Sequence, residues 1–95
     1  MAKTNSEITE IYKSFDIWRR RGTHTLVRYR CFEDCSTGRF CVQSADFYRQ
    51  PVTIEQIQSL EKQFIELLTD ESPFERSEAF ASIEEAIRNH DEVFA

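Results

Sequence analysis

Residues 25–48 read TLVRYRCFEDCSTGRFCVQSADFY, and whether this stretch is strand or helix decides the fold. From Thr25 to Glu33, and again from Phe40 to Tyr48, the residues are β-branched, aromatic or alternating in polarity, the pattern of strands. Ser36-Thr37-Gly38 fits a three-residue hairpin loop, with Gly38 at the position that needs positive φ. That register sets Arg28 opposite Asp46, Tyr29 opposite Ala45, Arg30 opposite Ser44, Val27 opposite Phe47 and Phe32 opposite Val42. One face then carries Val27, Tyr29, Cys31, Cys41, Ala45 and Phe47, a core layer. The other mixes Arg28, Arg30 and Asp46 with Leu26, Phe32, Phe40, Val42 and Tyr48, so neither face is purely polar.

Upstream, the spacing predicts a helix. Thr4 and Glu7 fit a capping box, Gly22 fits a C-terminal stop, and Ile8, Ile11, Tyr12, Phe15 and Trp18 share one helical face. Ile17 points away from that face as an exposed apolar residue. Arg19, Arg20 and Arg21 fill the last turn, where cations stabilise the helix dipole. Downstream, Thr53 with Gln56 forms a capping box, and Val52 with Ile57 a hydrophobic staple. Ile54, Ile57, Leu60, Phe64, Ile65, Leu67 and Leu68 make a broad apolar face that ends at Asp70-Glu71-Ser72-Pro73. A third helix begins near Pro73 or Ser77, with Ala79, Phe80, Ile83, Ala86 and Ile87 on its face and Val93 and Phe94 continuing it. The short connection predicts an antiparallel helical hairpin. The expected fold is α+β, in the order α-β-β-α-α: an N-terminal helix, a two-stranded antiparallel hairpin and a C-terminal helical hairpin, in a single domain over 1–95.

Composition bounds the function. The 95 residues carry 40% hydrophobic residues and eight Phe, enough for one core with little area to spare. Charge is split along the chain. Residues 1–50 hold nine Lys/Arg against six Asp/Glu and residues 51–95 three against eleven, for a net −5. Met1 to Ile8 lacks an apolar signal region, and no stretch approaches the roughly 20 apolar residues of a membrane helix. Cys31, Cys35 and Cys41 form an odd set without a signal sequence, which predicts reduced thiols and a cytoplasmic location. Their C-x3-C-x5-C rhythm is wrong for zinc, and a fourth ligand would have to be His24 or an acid. No cofactor motif is present.

Two residues interrupt apolar arcs. Glu61 falls inside the arc of the second helix and needs a partner, with Arg28 or Arg30 first in line. His90 falls inside the arc of the third, where a half-buried ring with one hydrogen-bond partner is expected. A helical hairpin would hold Glu61 and His90 some 13 Å apart at about 1.5 Å per residue. Cys35 has no base placed beside it by sequence. No catalytic role is therefore expected.

The expected activity is a protein–protein contact made by the basic, aromatic surface: Arg28, Arg30, Phe32, Phe40, Val42 and Tyr48, with Arg19, Arg20 and Arg21 at its border. Arginine and aromatic residues are enriched in interface cores. The partner is another protein or a second copy in a homodimer, because both hairpin faces are apolar. Two alternatives use other chemistry. The same arginines can bind nucleic acid by stacking and phosphate contact, or the acidic C-terminal helices can serve an inhibitor- or immunity-type protein. The third outcome is that the acidic helices neutralise the arginines internally.

Overall fold

Residues 12–20 are a strand, despite their helical spacing. A computed structural model describes residues 10–94. In it, Tyr12–Arg20 forms strand β1, Thr25–Asp34 forms β2 and Phe40–Arg49 forms β3, in one antiparallel sheet of order β1-β2-β3. The expected N-terminal helix is thus corrected to a strand, and the two-stranded hairpin to three strands. The capping box at Thr4 and Glu7 and the apolar Ile8 lie outside the described residues. Tyr12, Phe15, Ile17 and Trp18 are β-formers that fit a pleated surface as well as a helical stripe. Pairing with β2 over nine residues, from Tyr12↔Asp34 to Arg20↔Leu26, gives them a partner that helix propensity alone does not supply. Gly22, with φ 120°, turns β1 into β2 instead of capping a helix. Ile17 is partly buried against the core, not an exposed outlier.

The β2–β3 hairpin has the expected loop and most of the expected register. Gly38 has φ 73°, and Arg28↔Asp46, Tyr29↔Ala45, Arg30↔Ser44 and Val27↔Phe47 pair as read from the sequence. Beyond Arg30 a bulge shifts the ladder, so Cys31 faces Val42 and Phe32 faces Cys41. A one-residue slip exchanges the faces of everything past it. Val42 therefore joins Cys31 in the core, and Cys41 moves to the other side, where its thiol meets the Pro73 carbonyl at 3.6 Å.

The helices lie on opposite faces of the sheet, which corrects the expected helical hairpin. Helix α1, Ile54–Asp70, begins at Thr53, whose hydroxyl accepts from the Gln56 N–H, and Asp70 ends it as read from the sequence. Helix α2, Pro73–Arg76, is one turn capped by Ser72. The chain then passes the edge of β3, where Phe80 and Phe40 exchange two backbone hydrogen bonds of 2.8 Å. That bridge carries helix α3, Ile83–Phe94, to the far side. There Ala86 and Ile87 bury themselves against Val27, Tyr29, Cys31 and Val42, with Phe15, Ile17, Ala45, Phe80 and Ile83 around them. The result is an α+β fold in which the sheet is covered from both sides, so both strand faces take apolar residues.

Candidate functional site

The face of the sheet under α1 holds a chain of alternating charges. The strand period places Asp16, Arg28, Arg30 and Asp46 on it, and the apolar arc of α1 presents Glu61 from above. Arg28 reaches Asp16 at 2.9 Å and Glu61 at 3.1 Å. Arg30 reaches Asp46 at 2.8 Å and Glu61 at 3.0 Å. Glu61 bridges both guanidinium groups, the pairing its place in the helix predicts. Its hydrogen bond to Arg30, and the charges of both arginines, hold its carboxyl below the ordinary value against a smaller opposing effect of burial. Aromatic rings wall the cluster: Arg30 lies 4.5 Å from the Phe64 ring, and Arg28 lies 5.1 Å from that of Trp18 and hydrogen-bonds Tyr48. Phe64 stacks on Phe32 with centroids 6.0 Å apart.

The residues expected to form one contact surface are therefore divided. Arg28, Arg30, Phe32 and Tyr48 share the α1 face, with Arg30 and Phe32 buried. Val42 is buried on the α3 face, and Phe40 lies against Phe15 and bridges Phe80. Arg19 joins Asp91 of α3 at 2.8 Å and lies 5.5 Å from the Tyr29 ring, whose hydroxyl also donates to Asp91. Burial pushes the Asp91 carboxyl up, but the hydrogen bonds from Tyr29 and Arg19 outweigh it and leave the group below its ordinary value. Arg20 and Arg21 are exposed.

On the α3 face, a cleft of ≈ 530 Å³ is lined by Tyr29, Gln43, Ala45, Phe47, His90 and Phe94, among others. His90 is half-buried between the rings of Tyr29 and Phe94. Desolvation lowers its pKa, with Asp91 opposing. Glu61 stands on the other side of the sheet, and Cys35 lies exposed just past the end of β2. The three groups thus occupy separate places. Burial pushes the Cys31 and Cys41 thiols up to about 12. Among the described residues no group of three or more His, Cys, Asp or Glu is placed to hold a metal ion, and no helix is long and apolar enough to cross a membrane.

The surface that sequence reading missed is the part of the apolar arc of α1 that the sheet leaves uncovered. None of its 17 residues is buried, and Ile54, Ile57 and Ile65 stand 69%, 42% and 51% exposed beside an exposed Val52. A signal for this was present. The seven apolar residues of α1 spread over about 160° of the circumference, wider than the roughly 100° stripe that one packed face needs. Trp18, read as a helix-face residue, is also 52% exposed. Comparisons of the chain with protein-family models, with curated proteins and with solved structures find no match in any of the three.

Proposed function

We propose that this chain is a small, non-enzymatic protein-interaction module, and that its contact surface is the uncovered part of the apolar arc of α1. The observation that carries the reading is the exposure of Ile54, Ile57 and Ile65, which flank Glu61 on the apolar arc of α1 and are left uncovered by the chain's own sheet. Isolated exposed aliphatics are ordinary, but a row of them at helical spacing is the form taken by a helix that enters a partner's groove. The charged cluster beneath supplies registration: Glu61, fixed between Arg28 and Arg30, sets how α1 sits and so which aliphatics stay uncovered.

This moves the contact away from the basic hairpin, where Arg30, Phe32 and Val42 are buried within the chain. Three arginines of the nucleic-acid alternative, Arg19, Arg28 and Arg30, already bind carboxylates, which weakens that reading. The acidic alternative similarly gives up Asp91 to an internal pair with Arg19. The separate places of Glu61, His90 and Cys35 support the non-enzymatic part.

Substituting Ile54→Lys together with Ile65→Lys tests the surface. The variant should keep the wild-type circular dichroism and melting temperature while losing ability to associate through α1, read as the loss of an adduct from a photo-crosslinker placed at Ile57. A drop in melting temperature of several degrees without a change in adducts would show these side chains to be core residues instead.

A further inference from the structure

The outer edge of β1 is the second feature the fold leaves unfinished, and it goes beyond the α1 surface because it uses backbone. Arg21 N–H bonds the Thr25 carbonyl and Cys35 N–H bonds the Ile11 carbonyl. Ile11 and Arg21 are an even number of residues apart, so the odd-numbered residues between them turn their backbone groups toward β2. Tyr12, Ser14, Asp16, Trp18 and Arg20 then aim their N–H and C=O groups outward. Among the described residues nothing pairs with that side. The strand has neither proline nor bulge along its nine residues, two of the devices that commonly blunt an edge, although it does carry charged side chains, Lys13, Asp16, Arg19 and Arg20.

We propose that β1 is the edge through which two copies of this chain join, antiparallel about Phe15, into a continuous six-stranded sheet. The charge order along the strand favours a second copy in this sense. Glu10 stands at one end and Arg19, Arg20 and Arg21 at the other, so an antiparallel copy brings each acid beside the other copy's Arg20. In this register Tyr12 faces Trp18, Ser14 faces Asp16 and Lys13 faces Ile17. A two-fold centred on Asp16 instead opposes two carboxylates and sets Lys13 against Arg19. One centred on Ile17 sets Lys13 against Arg21. One centred on Trp18 avoids like charges but runs quickly into the bend at Gly22, where φ is 120°. Only the Phe15 centre pairs all of residues 10–20 with no like charges opposed. It also gives the exposed Trp18 an aromatic cross-strand neighbour, a pair type that stabilises sheets.

The test is the mass of the whole chain by sedimentation equilibrium, with two sets of variants. Wild type should sediment at twice 11.3 kDa. Ser14→Pro removes an outward N–H and no bond of the β1–β2 ladder, a place where an edge strand tolerates proline. It should sediment at 11.3 kDa with its circular dichroism retained. Should Ser14→Pro fail to fold, the charge pair decides the matter. Glu10→Arg and Arg20→Glu should each weaken dimerisation roughly tenfold through two symmetric contacts, and the double exchange should restore it. A wild-type monomer at the highest soluble concentration overturns the proposal, as does a folded Ser14→Pro dimer or a double exchange that restores nothing. Because α1 is untouched by these changes, a dimer that persists here but is lost in Ile54→Lys with Ile65→Lys would sink the β1 edge and leave the α1 surface standing.

Discussion

Arg30 and Asp46 form an ion pair sealed inside the chain: Arg30 Nε lies 2.8 Å from Asp46 Oδ2, with the two side chains only 3% and 7% exposed. They are diagonal neighbours across β2 and β3, since Arg30 itself faces Ser44 and Asp46 faces Arg28. Desolvating two charges offsets much of their attraction, so the pair contributes more to how the sheet and α1 register than to net stability.

That balance predicts strong non-additivity. Asp46→Ala leaves a buried guanidinium with Glu61 alone and should cost about 3–5 kcal/mol in denaturant unfolding. Arg30→Met combined with Asp46→Leu should cost much less than the sum of the single changes. Equal and additive losses would mean the two groups do not act as a pair.

Acid should destabilise the fold in two stages. His90 has its folded pKa lowered by burial, so its contribution is complete above the ordinary 6.5 and is lost as pH falls through the folded value. Glu61 and Asp91, also lowered in the fold, follow below their ordinary 4.5 and 3.8. Melting temperature should therefore begin to fall just below pH 6.5 in wild type. In His90→Phe it should stay flat down to roughly pH 5. An identical early decline in both proteins would contradict the assignment.

Gln43 sits at the bulge of β3, buried, and its amide oxygen and nitrogen have no hydrogen-bond partner among the described residues. Such a group costs about 1–3 kcal/mol. Gln43→Met, of similar length and without the amide, should raise stability by about 1 kcal/mol. A loss of stability would mean the amide is held by a partner that the methionine cannot replace.

The three thiols should separate cleanly. Cys35 is exposed, whereas Cys31 and Cys41 are buried, on opposite faces of the sheet, with thiols pushed up to about 12. Titration with an aromatic disulfide reagent should modify one thiol per native chain at once and the other two only on unfolding. Rapid reaction of all three would show the sheet to be open at its centre.

The residues from 25 to 49 carried most of the fold legibly, because a Gly at the turn and aromatic, β-branched flanks agree on one structure. The bulge was hidden: nothing local to Gln43 distinguishes an extra residue, and it moved Val42 and Cys41 between faces. Residues 12–20 misread as a helix because a strand covered on both sides loses its polar alternation and mimics helical spacing. Glu61 disclosed its arginine partners, since a carboxylate in an apolar arc demands them. The exposed aliphatics of α1 were masked by the same arc, which shows how much apolar surface exists but not which part its own chain covers.

The most direct test of the interaction reading is site-specific photo-crosslinking in the native cell. A photoreactive residue at Ile65 should yield one discrete protein adduct, while the same residue at Gln63, on the polar side of α1, should yield none. Absence of any adduct at Ile65, or the same adducts from both positions, would contradict the account.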